Sequence, residues 1–487
     1  MPAVESRASS VTRVVIVGGG PGGYEAALVA RQLGAEVTLV EAGGIGGSAV
    51  LTDAVPSKTL IATANAITAV AASGSLGVLI NGRSPNPSTI GVDIEAVNSR
   101  ITQLASAQSE DIASRLLRDG VTVIPGKARF ADDGSVLVAR LDGRQEVLEP
   151  DVVLLATGAR PRVLPEAMPD GERILTWEQV YSLDEVPPRL IVVGSGVTGA
   201  EFAGAFHALG SHVTLISSRD RVLPGEDPDA ARVVEEVYER RGLQVMGRSR
   251  AVAATRTSDG VAVTLEDGRV VHGSHVLMAV GSLPNTDDLN LGAVGIETDE
   301  GGFIRVDRVS RTTHRGVYAA GDCTGVLMLA SVAAMQGRIA MWHALGDAVA
   351  PIELGHVSST VFTDPEIAQV GLGHKDLDEG RFRGDVVLLP LQSNARAKME
   401  NLHDGFVKLF CRRGSRIVAG AVVVSPHASE LIHPLTIAVE QRLTVDQLAS
   451  TFTVYPSRQR CAGGAPPAHR CRLGRRLRRP DIPRRAG

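Results

Sequence analysis

At 487 residues, 44% of them apolar and 21% charged, the chain is long enough for two to four domains and has an ordinary globular composition. The net charge of −4 is uneven: ten arginines against one aspartate give residues 458–487 a charge of +9, leaving −13 on the rest, and an acidic body speaks against nucleic-acid binding. The four cysteines (Cys323, Cys411, Cys461 and Cys471) have neither zinc-site spacing nor the pattern of a secreted disulfide framework, so no metal is expected.

No apolar run approaches the roughly 18 residues of a membrane span, and the leader before Val14 lacks the apolar stretch of a secretory signal. A cytoplasmic protein without a membrane span is therefore expected. The first strand reads as Val14–Val17 and stops at Gly18-Gly19-Gly20-Pro21-Gly22-Gly23. An alanine-rich helix from about Tyr24 to Leu33 follows, then a strand at Val37–Val40 ending in Glu41. Helices are expected over about Thr59–Ala72 and Ile94–Arg118, a loop over Asn81–Ser88, and strands between Val121 and Leu155.

The opening grammar then recurs. A strand at Leu190–Val193 runs into Gly194-Ser195-Gly196-Val197-Thr198-Gly199, a helix continues to about Leu209, and a strand covers His212–Ile216. From Pro351 the pattern becomes α+β, with strands at Val386–Leu391, Phe406–Cys411 and Ile417–Val424 and helices at Ser429–Glu440 and Thr444–Ala449.

Each GxGxxG turn between a strand and a helix is the signature of a dinucleotide site. The first glycine permits the tight turn, the second lets a pyrophosphate approach the backbone, and the third lets helix and strand pack. Gly18, Gly20 and Gly23 fill these roles in the first unit and Gly194, Gly196 and Gly199 in the second. Glu41, at the end of the second strand, is placed to accept ribose hydroxyls. The second unit has Ser217-Ser218-Arg219 there instead, so no acid repels a 2′-phosphate and Arg219 is able to pair with one. This favours NADPH over NADH, unless Arg219 is only a solvated loop charge.

The order of motifs resembles the flavoprotein disulfide reductases, and within them dihydrolipoamide dehydrogenase. It runs from Gly46-Gly47-Ser48 and Val55-Pro56-Ser57-Lys58 through Ala156-Thr157-Gly158 and the second glycine turn with Glu201 to Gly321-Asp322. The stretches 361–368 and Asn394-Ala395-Arg396-Ala397 match the interface domain of that family. The resemblance implies an α/β fold with two Rossmann-like dinucleotide-binding domains plus a C-terminal α+β dimerisation domain. Its divisions would be an FAD-binding part at 12–158, an NAD(P)-binding domain at 159–285, completion of the FAD domain at 286–350, and dimerisation at 351–457.

It further implies that FAD is held by Gly18, Gly20, Gly23, Glu41, Gly47, Ser48, Lys58, Ala128, Gly158, Asp322 and Ala330. The nicotinamide dinucleotide falls to Gly194, Gly196, Gly199, Ser217, Arg219, Ala251 and Gly281, and Glu201 pairs with Lys58 beside the flavin.

The chain departs from that family in two places. Ala49 and Ala54 stand where a CxxxxC pair carries the disulfide chemistry, and an alanine methyl cannot attack a disulfide. Tyr455 and Arg460 stand where a histidine and glutamate serve as the acid–base partner of the thiols. What remains is hydride transfer from NAD(P)H to FAD, followed by an acceptor that takes electrons directly from the ring.

The stretches Gly46–Lys58 and Val193–Phe202 resemble the cysteine-free NAD(P)H:quinone reductase branch of actinobacteria. The expected enzyme is thus a homodimeric NAD(P)H dehydrogenase with a quinone acceptor, with Lys58, Glu201 and Tyr455 as its candidate catalytic residues. A transhydrogenase or diaphorase, and a non-catalytic flavin-binding protein, are the rival readings. The family likeness stops at Ser457, and the basic tail is expected to be disordered or the product of a frame slip near that codon.

Overall fold

The structure, a computed structural model, describes residues 11–86 and 90–459. Most of the expected leader, the end of the loop at Asn81–Ser88 and the tail from residue 460 lie outside the described residues. The chain divides into two compact units. One comprises residues up to Glu226 with Val234–Leu354, and the other Asp227–Val233 with the residues from Gly355 onward.

The first unit opens with strand β1 (Arg13–Val17), helix α1 (Pro21–Gln32) and strand β2 (Glu36–Glu41). Proline at the start of α1 has its φ preset and no N–H to lose, and the alanine run that follows is a strong helix former. Short helix α2 (Gly47–Leu51) turns directly into α3 (Ala54–Ala72), and α4 (Ile94–Arg118) covers the stretch read from sequence. The Asp93 side chain caps α4 by accepting from the Ala96 amide at 2.9 Å.

Strands β3 (Thr122–Phe130), β4 (Val136–Arg140), β5 (Gln145–Leu148) and β6 (Val152–Leu155) follow. Short β7 (Ala159–Pro161) and β8 (Ile174–Thr176) precede the second glycine motif. That motif joins β9 (Arg189–Val193) to α5 (Val197–Ala208), and β10 (His212–Ile216) completes the unit. Helix α6 (Pro228–Arg241) leads to β11 (Gln244–Met246).

An antiparallel three-stranded sheet is formed by β12 (Ala251–Arg256), β13 (Val261–Leu265) and β14 (Val270–Gly273). Then come β15 (His275–Met278), β16 (Ser282–Pro284), β17 (Val317–Ala319) and α7 (Ala330–Ala344). The first large sheet runs β17-β6-β1-β2-β3-β4-β5, parallel from β17 to β3, and the second runs β11-β10-β9-β15-β8. The four residues of β6 are all buried, as are the last four of β1 and of β9 (Ile16 is 0% exposed). A parallel strand covered on both faces gives such a run, and each buried aliphatic side chain contributes about 1.5–3 kcal/mol.

The expectation about membrane spans is qualified by one helical stretch. Among the described residues, Gly47–Leu76 is long and apolar enough, by length and composition, to cross a membrane. Its hydropathy comes from alanines and aliphatics interrupted by threonine and serine, so no single apolar run announces it. Within the unit α3 packs on α4 and α5 and carries Lys58.

The second unit is built on one antiparallel sheet, β18-β19-β22-β21-β20. Its strands are β18 (Ser358–Val361), β19 (Glu366–Gly371), β20 (Gly384–Pro390), β21 (Phe406–Arg412) and β22 (Val418–Ser425). The helix expected at Ser429–Glu440 is instead two, α10 (Ala428–Leu431) and α11 (His433–Glu440), after the short α8 (His374–Asp378) and α9 (Ala395–Met399). Pro434 stands in the first turn of α11, where it has no N–H to bond backward, so the helix restarts. The described chain ends shortly after α12 (Val445–Ser450).

In this unit Lys408 is 1% exposed and donates to Asp227 and Asp229 at 2.7 Å each. Asp227, Asp229 and His374 have the spacing of a metal site, but the Lys408 ammonium already supplies the cation at their centre and lies 3.0 Å from His374 Nδ1.

Candidate active site

The two glycine turns have nearly the same geometry. A Cβ on Gly18 would lie 2.2 Å from the Ala156 carbonyl oxygen, and one on Gly23 would lie 1.9 Å from that of Gly18. In the second turn the corresponding distances are 2.1 Å (Gly194 to Ala279 O) and 1.8 Å (Gly199 to Gly194 O). Packing alone therefore demands the first and third glycines.

The middle glycines are different. Gly20 (φ −70°, ψ −176°) and Gly196 (φ −70°, ψ −171°) have extended backbone open to any residue. A Cβ on Gly20 would meet nothing closer than 4.0 Å, and one on Gly196 nothing within 4 Å. Neither backbone nor neighbours ask for glycine there, so what glycine preserves is room for a ligand against the main chain. No side chain caps α1 or α5 and no acid stands in either first turn, so the amides of two helix N-termini face that room. The residues present fit two dinucleotide pyrophosphates.

Glu41, at the end of β2, accepts from the amides of Gly19 and Gly43. An ionised carboxylate has about four acceptor positions, so it can still receive ribose hydroxyls. The Gly46 amide donates to Gly19 O at 2.9 Å, and a Cβ on Gly47 would lie 2.8 Å from the Gly20 α-carbon. This close approach presses the α2–α3 elbow, with Ser48, Ala49 and Ala54, against the first cradle.

Lys58 on α3 reaches Glu201 on α5, with Nζ 2.8 Å from Oε2. Glu201 is 4% exposed and Lys58 32%, so the carboxylate is the buried partner and the ammonium the one that opens outward. Asp322 follows β17 at the same end of the first sheet. Burial, reinforced by the charge of Asp53, pushes its carboxyl up to about 6.

Other expected ligands are distributed around this centre. Ala128 is buried on β3, Gly158 follows β6 with φ +69°, and Ala330 is the exposed first residue of α7. Gly281 (φ +100°) lies between β15 and β16, and half-buried Ala251 opens β12. The Ser217 hydroxyl is fully buried, 2.7 Å from that of Ser195, and it also accepts from the Arg219 amide. It thus ties the glycine turn to the end of β10, and the Arg219 side chain is left exposed. Tyr455 belongs to the second unit, where it is 65% exposed.

Several residues here escaped sequence reasoning. Ser218, Arg248, Arg250, Glu266 and Asp267 line a pocket of 490 Å³, and the Arg248 amide donates to Arg219 O at 2.6 Å. Only the parallel pairing of β10 with β11 reveals that Arg-Ser-Arg at 248–250 stands beside Ser218. Asp53 lies near Lys58, and Glu178 and Tyr181 lie near Asp53, none in a recognisable motif; the Thr52 hydroxyl donates to Glu178 at 3.2 Å. Cys323 is wholly buried and its thiol is pushed up to about 11 by burial, so it is no substitute for a reactive thiol. Cys411 is also buried and unbridged.

Two dinucleotide cradles joined by a buried carboxylate–ammonium pair define an oxidoreductase that uses a flavin and a nicotinamide. The chain belongs to the pyridine nucleotide-disulphide oxidoreductase family: that family matches residues 12–337, and its dimerisation domain matches residues 357–461. The chain is 53% identical over 456 residues to a Mycobacterium tuberculosis protein named NAD(P)H dehydrogenase (quinone), covering 92% of each. It is 34% identical to dihydrolipoyl dehydrogenase 2 of Haloarcula marismortui, covering 92% of this chain and 94% of that one. The crystal structure of LpdA from Mycobacterium tuberculosis superposes with a TM-score of 0.88 at 51% identity, covering 93% of this chain and 98% of that one. FAD and NAD(P)H are the cofactors of this family, and the described residues contain no disulfide.

Proposed function

We propose that the protein is an FAD-dependent NAD(P)H dehydrogenase that passes electrons to a quinone and works as a homodimer. The observation that carries this reading is the Lys58–Glu201 pair set beside a flavin cradle whose thiol positions are Ala49 and Ala54. When bound, FAD accepts a hydride from the nicotinamide and returns two electrons to an acceptor.

Gly18, Gly20, Gly23 and Glu41 would hold its pyrophosphate and ribose, and Asp322 its sugar-alcohol chain. Gly194, Gly196 and Gly199 would hold the nicotinamide dinucleotide, with Arg219, Arg248 and Arg250 offering charge to a 2′-phosphate. Glu201 fixes the Lys58 ammonium in place, where it stabilises the build-up of negative charge.

No thiol stands at positions 49 and 54 to carry electrons onward, so the acceptor must meet the flavin itself. A quinone does this by stacking, without covalent chemistry. The name of the Mycobacterium tuberculosis relative supports the same acceptor, and the dimerisation-domain match supports the homodimer.

The test is anaerobic bleaching of the flavin by NADPH, followed by mixing with menadione or with NAD+. Recovery of the yellow colour with menadione supports the reading. Recovery with NAD+ alone points to a transhydrogenase, and a flavin that NADPH never bleaches points to a non-catalytic flavoprotein.

A further inference from the structure

We propose that the Asp53 carboxyl donates the proton that completes reduction of the quinone. The inference rests on the function proposed above and adds to it the acid that the reaction requires.

Reducing a quinone to a hydroquinone takes two electrons and two protons. The hydride of NAD(P)H supplies both electrons and one proton, so a second proton must come from an acid or from water. In the chemistry proposed here an O–H bond of Asp53 breaks and an O–H bond of the hydroquinone forms. The electron pair of the broken bond stays on the Asp53 carboxylate, which regains a proton from water. The overall change is NAD(P)H + H+ + quinone to NAD(P)+ + hydroquinone. The thiols and histidine that handle protons in relatives with a disulfide are here Ala49, Ala54 and Tyr455, none of them an acid of suitable strength.

Asp53 stands at the elbow between α2 and α3. Its amide donates to Ser48 O at 2.7 Å and its carbonyl accepts from the Ser57 amide at 2.8 Å, which ties it to both helices. It occupies the N-cap position of α3, where aspartate ordinarily turns its carboxylate back onto the first-turn amides. Here φ is −124° and ψ −91°, and the side chain makes no capping bond. The carboxylate is thus not committed to the helix, at an elbow that Gly46 and Gly47 press against the first cradle.

The groups that face it come from four elements. Lys58 belongs to its own helix and holds Glu201 of α5, Asp322 lies in the turn after β17, and Glu178 and Tyr181 belong to the segment after β8. Lys58, the ammonium that acts on Asp53, is already hydrogen-bonded to Glu201. The charge of Asp53 acts on Asp322 and Glu178, and carboxyls that interact do not all ionise at the ordinary carboxylate pKa. Burial raises Asp53 above its usual range despite the pull of Lys58. Tyr181, the other hydroxyl acid nearby, is driven well above the ordinary tyrosine value by burial and by the surrounding carboxylates, which leaves it a poor donor. Asp53 is the acid at the elbow itself, beside the positions that the thiols vacate.

The test uses the holoenzyme with Asp53→Asn and Asp53→Glu. Full flavin content and bleaching by NADPH establish that each variant is folded. Asparagine is expected to slow re-oxidation by menadione about 100-fold or more and to abolish its fall as pH rises, while glutamate restores most of the rate. Independently of turnover, the visible absorption of the oxidised flavin, titrated with pH, should show a step from this carboxyl in the wild type that Asp53→Asn removes. Re-oxidation of Asp53→Asn at the wild-type rate with an unchanged pH profile would overturn the assignment. A wild-type enzyme that menadione fails to re-oxidise would overturn the quinone reading itself, so the two failures are told apart.

Discussion

Lys58 Nζ lies 2.8 Å from Glu201 Oε2, with the Lys58 side chain 32% exposed and that of Glu201 4%. Removing the ammonium would take the opposite charge from a carboxylate that is 4% exposed. Breaking a fully buried pair costs about 3–5 kcal/mol; with Lys58 a third exposed, water offsets part of that. Lys58→Ala is expected to lower unfolding free energy by about 2 kcal/mol, read by urea denaturation of the holoenzyme, and to slow flavin bleaching by NADPH. Glu201→Gln keeps a hydrogen-bonding oxygen and should cost less stability.

The glycines of the second turn separate binding from folding. Gly196→Val is expected to leave the melting temperature within a few degrees of wild type while abolishing NADPH binding by fluorescence titration, because its side chain fills space the fold does not use. Gly199→Ala should do the opposite first. Its Cβ would sit 1.8 Å from Gly194 O, so the variant should unfold early or fail to accumulate.

The arginines around Ser218 predict cofactor choice. A charge-assisted hydrogen bond is worth about 1.5–3 kcal/mol, or roughly 10- to 100-fold in affinity. Arg248→Ala and Arg250→Ala should each lower kcat/KM for NADPH by about 10-fold or more and leave that for NADH within about twofold. Glu266 and Asp267 line the same pocket, so neutralising either should shift the preference toward NADPH.

Asp322 predicts a pH dependence whose sign is fixed by its raised pKa of about 6. Between the ordinary carboxylate value and 6 the folded chain holds more protons here than the unfolded chain. Stability from this group is therefore full below about pH 4 and lost as pH rises through 6. Asp322→Asn, measured by denaturation of flavin-free protein, should gain on the wild type by about 2 kcal/mol between pH 4 and pH 7.

Much of the flavin and nicotinamide scaffold was legible because its signals are local. A β-branched run, a glycine turn and an alanine-rich helix announce each cradle within 25 residues or so, and Ile94–Arg118 emerges with the bounds its periodicity implies. Pro434 was a local signal too, but it was absorbed into a longer helix that it in fact divides. What could not be read are features that depend on convergence. Asp53 belongs to no motif, and only the fold shows that it makes no capping bond and that Asp322, Glu178 and Tyr181 come to it from distant segments. Arg248 and Arg250 are indistinguishable from surface arginines until β11 pairs with β10. The buried bond between the Ser217 and Ser195 hydroxyls is likewise invisible in the sequence.

The central claim is that electrons end their path in this protein at the flavin, because Ala49 and Ala54 leave no thiol pair to receive them. Anaerobic titration with NADPH, followed by flavin absorbance, counts the electrons directly. One equivalent of NADPH per FAD should bleach the flavin completely, with no long-wavelength thiolate band. A requirement for two equivalents, with such a band at the midpoint, would contradict the claim.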